Sequence, residues 1–259
     1  MTSIKAHREK SLADAKEILE SGLTTLDALS VTLSTLPYHT GGDSLSKAEA
    51  AFVAALSGND GADVEKANDV VDAAYKAARD ALCLGCEHVR IFERFIGLHC
   101  PKMEDGNNFG VTVQMTIGKH LKEQRESWEK SLTETSKYYS SRAEAIDKFS
   151  HIPKTSKSET KSTSKSSSTG GKDGDESKES SSVSTEEKTS NGGTLNIHRI
   201  KALAALDAQM YVDLVAALKG MMDGYVIVLD NMEKNLDKLE NPRGRGYGGY
   251  GSGGSSMVY

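Results

Sequence analysis

The chain has 259 residues, a formal net charge of −5 and more acidic than basic side chains, a balance that argues against general nucleic-acid or anionic-membrane binding. It is rich in Ala, Leu, Glu and Lys and has only four prolines, the composition of a helical protein. No run of 18 apolar residues exists to cross a bilayer, and the charged N-terminus lacks the apolar core of a signal peptide, so a soluble protein of the cytoplasm or nucleus is expected.

Four long helical patterns follow one another. In the first, Leu12, Ala15, Leu19, Gly22, Leu26, Leu29, Leu33 and Leu36 alternate three- and four-residue steps until Pro37 ends the stripe. Leu45 to Leu56 then reads as a short helix between Gly42 and Gly58. The second long pattern carries two adjacent stripes, Val71, Tyr75, Ala78, Leu82, Gly85, Val89, Phe92, Ile96 and Val70, Ala74, Ala77, Ala81, Leu84, His88, Ile91, Phe95. So wide an apolar face predicts contact with more than one neighbouring helix. The third is marked by Ile117, Leu121, Trp128, Leu132, Tyr139, Ala143 and Ile146, and the fourth by Ile200, Leu203, Met210, Leu214, Met221, Tyr225, Val228, Met232 and Leu239.

Residues 153–194 are mainly Ser, Thr, Lys, Glu and Gly, with Val183 their one large apolar side chain. Such a segment cannot bury enough surface to offset ordering entropy and is expected to be disordered. The organisation predicted is therefore all-α: helices one to three over 1–152, the insert over 153–194, helix four over 195–241, and a flexible glycine-rich tail over 242–259. Helices that each bury a stripe against the others imply an antiparallel up-down-up-down four-helix bundle. In that topology the second connection and the C-terminus share one end, and the insert lies at the other.

Candidate chemistry is sparse. Cys83 and Cys86 form a CxxC, but His88, His99 and Cys100 lie on the same helical stretch and cannot complete a zinc tetrahedron with them, and Glu87 stands where c-type haem attachment needs His. His88 reads as a core or interface histidine. No nucleophile–base pair, metal ligand set, phosphate loop or cofactor motif is evident, so catalytic and metal residues are expected to be absent. The segment Glu104-Asp105-Gly106-Asn107-Asn108-Phe109-Gly110 breaks the second and third patterns. Asp105, Asn107 and Gly110 fit positions one, three and six of a calcium loop, but Phe109 and Thr116 stand where a ligand and a bidentate Glu are required. The glycines and the Asp and Asn side chains suit a compact, rigid loop. Taken alone, such a loop is most often an ordinary helix–helix turn.

The wording EDGNNFGVTVQ, the Pro242-Arg243-Gly244 triplet and the terminal Met257-Val258-Tyr259 resemble the 11S (REG) proteasome activator family. The resemblance implies a four-helix protomer closed into a heptameric ring, homomeric or shared with a paralogue, that opens the gate of the proteasome core particle without ATP and is not an enzyme. It implies an activation loop formed by Lys102, Met103, Glu104, Asp105, Gly106, Asn107, Asn108, Phe109 and Gly110, with Asn107 on the asparagine the family requires. It also implies a docking tail, Met257, Val258 and Tyr259, whose terminal carboxylate enters pockets of the core particle's outer (alpha) rings. Two features depart from the family: the low-complexity insert joins helices three and four rather than one and two, and the glycine-rich spacer before Met257 is longer. A helical scaffold that recruits partners through its insert is the alternative.

Overall fold

The structure is a computed structural model, and it describes residues 3–58, 64–102, 108–147 and 197–244. These form six α-helices and no strand: α1 (Ile4–Thr35), α2 (Ser44–Leu56), α3 (Asp69–His99), α4 (Phe109–Thr135), α5 (Tyr138–Asp147) and α6 (Ile197–Glu240). Local signals set several of the boundaries. Ser3 accepts the Ala6 N–H at the start of α1, and Asn68 accepts the Val70 and Val71 N–H groups at the start of α3, where Asp69 and Asp72 lie at the positive end of the helix dipole. After α1 the chain turns at Pro37 and Tyr38, the latter in the left-handed region at φ 57°.

The two long central helices, α3 and α6, organise the bundle. α3 packs against α1, α4 and α6, and α6 against α1, α2, α3, α4 and α5. The two stripes read on α3 thus serve several neighbours, as their width requires: Val71, Ala78, Leu82, Val89, Phe92 and Ile96 are buried, and so are Ala74, Ala81 and Phe95 of the adjacent stripe. Gly85 marks a close approach within this core. A Cβ there would lie 2.7 Å from Met221 and 2.8 Å from the Trp128 ring, so the missing side chain makes room for the indole.

Cross-links fix the helix directions. Lys16 of α1 pairs with Glu240 at 3.6 Å and Arg94 of α3 with Asp14 at 3.4 Å, which brings the start of α1 to the ends of α3 and α6. At its far end α1 stops opposite the middle of α6, where the Tyr211 hydroxyl donates to the Pro37 carbonyl and Lys219 donates to His39 O at 2.5 Å. α2 packs onto α6 beyond this point, with Phe52 edge-on to Tyr211 at 6.3 Å.

The third predicted helix is corrected by the structure. It is two helices, broken at Ser136 and Lys137, and the buried face shifts by one residue across the break. Tyr138 and Arg142 are buried, whereas Tyr139 and Ala143 of the predicted stripe are exposed. Thr133, Thr135 and Ser136 turn their hydroxyls back onto carbonyls three or four residues earlier, and Lys137 N–H bonds to Glu134 O, three residues back. Such back-bonding and tightening end an α-helix. The shifted register is held by a polar cluster. Fully buried Asp207 of α6 accepts hydrogen bonds from the Tyr138 hydroxyl at 2.8 Å, Arg142 Nε at 3.1 Å and Asn68 Nδ2 at 3.2 Å. Tyr139 stays at the rim, edge-on to Tyr75 and donating to Asp72.

The first stripe is only partly buried. Ala15, Gly22 and Leu36 are buried, as is Ile18 outside the stripe, while Leu12, Leu19, Leu26, Leu29 and Leu33 are half-covered, because among the described helices α1 packs chiefly against α3 and α6. The sequence-predicted insert at 153–194 lies outside the described residues.

Candidate functional site

One end of the bundle gathers the start of α1, the end of α3, the start of α4 and the end of α6. Of the loop residues singled out in the sequence, Lys102, Asn108, Phe109 and Gly110 are placed at this end. Met103, Glu104, Asp105, Gly106 and Asn107 lie outside the described residues, as do Met257, Val258 and Tyr259.

The backbone geometry here is unusually close. Gly110, in the first turn of α4, is buried against the backbone of Pro242, just past the end of α6; a Cβ at Gly110 would lie 2.0 Å from Pro242 O. No other residue fits at this position without moving one chain segment away from the other. One residue further along, Arg243 donates from Nη2 to the Lys102 carbonyl. The root of the C-terminal tail is therefore in contact with both flanks of the α3–α4 connection. Gly244, at φ +78°, closes a turn on Asn241 O at 2.9 Å.

Gln114 ties the arrangement from within. It is 1% exposed and lies one turn after Gly110 on the buried side of α4. Its Nε2 donates to Leu239 O at 2.8 Å and to His99 O at 3.3 Å. Both acceptors belong to the last turn of a helix, α6 and α3 respectively, where carbonyls have no intrahelical donor. One side-chain amide thus satisfies two helix C-termini, and because both neighbours are carbonyls, the nitrogen must be the atom that faces them. Among the described residues its Oε1 has no hydrogen-bond partner.

Charge follows the helix dipoles. The positive N-terminus of α4 meets the negative C-termini of α3 and α6, and the cations nearby suit the end of α6: Lys238 lies in its last turn and Arg243 beyond it. Lys238 Nζ sits 5.3 Å over the ring of Phe109, which is otherwise 65% exposed. Asn108 accepts through its carbonyl from Thr112 N at 2.9 Å and Thr112 Oγ1 at 3.2 Å.

These groups fix backbone positions; they are not arranged to transfer protons or to hold a cation. Among the described residues no group of three His, Cys, Asp or Glu side chains could hold a metal ion. Cys83 and Cys100 are exposed, and Cys86 is buried, its thiol pushed up to about 11 chiefly by that burial. His88 is half-buried, bonded through Nδ1 to the Tyr225 hydroxyl at 2.5 Å, and burial holds its pKa below the ordinary histidine value. No helix among the described residues is long and apolar enough to cross a membrane.

The sequence stripe for helix three begins at Ile117 and so passes over Gln114 and Gly110. The available signal was a glycine and a polar residue on the continuation of an apolar face, Gly110-Gln114-Ile117-Leu121, at helical spacing.

Comparison with known proteins points in one direction. Residues 64–159 match the family described as proteasome activator PA28, C-terminal, a segment that carries α3, α4 and α5. Proteasome activator 28 of Dictyostelium discoideum is 31% identical over 86 residues, which is 33% of this chain and 38% of that protein, so the match spans well under half of the curated relative. The crystal structure of the 11S subunit of the Plasmodium falciparum proteasome, PA28, superimposes with a TM-score of 0.59 at 16% identity, covering 93% of this chain and 92% of the other. A chain from a proteasome–11S activator complex gives a TM-score of 0.56 at 16% identity, with 95% and 93% covered. At such identity the likeness shows the fold.

Proposed function

From the premise that this chain belongs to the proteasome activator PA28 (11S) family, we propose that it is a non-catalytic, ATP-independent activator of the proteasome core particle. The observation that carries this reading is the meeting of the α3–α4 connection with the root of the C-terminal tail, through Gly110 against Pro242 and Arg243 on Lys102 O, at one end of the bundle. A tail that docks and a loop that acts on a gate must address the same partner surface, and here both depart from the same few residues. In this reading Lys102 to Gly110 form the activation loop, with Asn107 at its centre. Met257, Val258 and Tyr259 are the docking segment, delivered by the glycine-rich spacer into pockets of the outer (alpha) rings. The insert at 153–194, which links α5 to α6 in sequence, is dispensable for gate opening. The compartment is cytosol, nucleus or both.

Self-association into a heptameric ring fits the uncovered apolar surface. Leu23 and Val31 on α1 are 72% and 65% exposed, and Val226 and Ile227 on α6 are about half exposed. A monomer gains nothing by leaving such side chains in water, whereas neighbouring copies would cover them. A ring also presents several tails at once, so individually weak docking gains roughly 10²- to 10⁴-fold in avidity.

The test is turnover of a fluorogenic peptide by purified core particle with and without the full chain. Stimulation is expected without ATP and is expected to be lost when Met257-Val258-Tyr259 are removed. No stimulation by the full chain at concentrations where it forms rings would reject the reading.

A further inference from the structure

Gln114 and Arg243, we propose, are positioning residues that lock the α3–α4 connection to the end of α6 at the root of the tail, so that the loop meets its target from a rigid seat. This rests on the activator reading above and adds to it a link between its two halves. A loop that must displace part of another protein needs a rigid seat. A tail that docks through a glycine-rich spacer cannot by itself supply one, since such a spacer transmits little force.

The geometry supplies the seat at three points. Arg243 leaves α6 and donates to Lys102 O on the incoming side of the connection. Pro242 lies against Gly110 on its outgoing side, at a distance that excludes any Cβ. Gln114 joins the last turns of α3 and α6 from beneath, donating to His99 O and Leu239 O. Each contact is made to backbone rather than to another side chain, so each constrains where the chain runs. Both helix ends held by Gln114 have carbonyls that would otherwise be unpaired inside the bundle, which makes the correct spacing of α3 and α6 the state in which both are satisfied. The unpartnered Oε1 of Gln114, buried at the same place, leaves the amide no competing bond among the described residues that would favour another orientation.

The experiment uses full-length chains carrying Gln114→Leu, Arg243→Ala or Arg243→Lys, with two readouts. The first is amide hydrogen exchange without core particle. The amides of Thr112 and Val113, the first in α4 with helical acceptors, are expected to exchange at least about fivefold faster in Gln114→Leu and Arg243→Ala, the change that loss of one ordinary hydrogen bond allows, while the amides of Leu82 to Val89 keep wild-type protection. The second is peptide turnover titrated with each variant. Maximal stimulation is expected to fall several-fold, with the half-maximal concentration within about twofold of wild type, as for an interaction used after binding. Arg243→Lys, which still presents a donor, is expected to recover most of both signals.

Unchanged exchange in both loss variants overturns the proposal. So does a loss of stimulation that is cured by raising the variant's concentration, since that would make these residues part of docking. If Gln114→Leu does not fold, Arg243→Ala and its lysine rescue decide alone. Failure of the wild-type chain to stimulate would reject the activator reading, whereas the exchange result separately decides whether the lock exists.

Discussion

The two ends of this bundle are held together by different chemistry. At the end where α5 meets α6, the anchor is a buried charge: Asp207 is enclosed by Arg142, Tyr138 and Asn68, each a side chain donating to a side chain. At the end where α3, α4 and α6 meet, the anchors act on the backbone, through Gln114, Arg243 and the bare face of Gly110. A buried, fully satisfied ion pair selects one packing of its helices and is severely upset by loss of a partner. Backbone anchors instead set the position of a chain segment that itself contributes little to the core. The first kind of end suits stability; the second suits the presentation of a connection and a tail to something outside.

That contrast is most severely strained by Asp207→Ala. It leaves Arg142 buried without its counter-charge, and a loss of about 3–5 kcal/mol is expected, lowering the midpoint of thermal unfolding by roughly 10 °C in calorimetry. Well below that midpoint, peptide stimulation by the same variant should stay close to wild type. Gly110→Ala should invert this pattern. Its methyl group must push Pro242 away, at a cost of about 1–3 kcal/mol for an overpacked site, while stimulation at saturation is largely lost.

A smaller effect is expected from pH. Burial lowers the pKa of His88 in the folded chain, so on acidification the unfolded chain takes up this proton first. Stability contributed at His88 is complete above the ordinary histidine pKa and declines as pH falls below it toward the depressed folded value. Thermal midpoints measured between neutral pH and mildly acidic pH should fall, and fall less in His88→Gln. The smallest effect sharpens the electrostatic part of the comparison: Lys238→Ala removes an exposed cation from the Phe109 ring and should cost about 0.5 kcal/mol in chemical denaturation.

Much of this fold is legible in the sequence because α3 and α6 bury long stripes at helical spacing. Val71 to Ile96 and Ile200 to Leu239 can be read directly, and the double stripe on α3 announces its several neighbours. The short helix at Leu45 to Leu56 is legible too, as Ser44–Leu56. What apolar periodicity cannot reveal is a polar residue within a core. Asp207, Arg142 and Gln114 all occupy buried positions, and each looks like a solvated side chain until its partners, far away in sequence, are in place. The break at Ser136 and Lys137 was hidden for a related reason. Tyr138 and Tyr139 are both aromatic, so either continues a stripe, and only the hydrogen bond from Tyr138 to Asp207 decides which one faces inward. At the candidate site, the sequence singled out the segment from Lys102 to Gly110 by its wording and its glycines, and of its residues Lys102, Asn108, Phe109 and Gly110 lie at the end of the bundle where α6 ends. The seat beneath it depends on contacts spanning more than a hundred residues, from Gln114 to Leu239 and from Lys102 to Arg243, which no local pattern encodes.

The division of labour between the two ends is tested most directly by one measurement: maximal peptide turnover by core particle saturated with wild-type chain, Gly110→Ala or Asp207→Ala, at a temperature where all three are folded. The expected result is strong stimulation by wild type and Asp207→Ala and little by Gly110→Ala. Full stimulation by Gly110→Ala, or its loss in a folded Asp207→Ala, would contradict it.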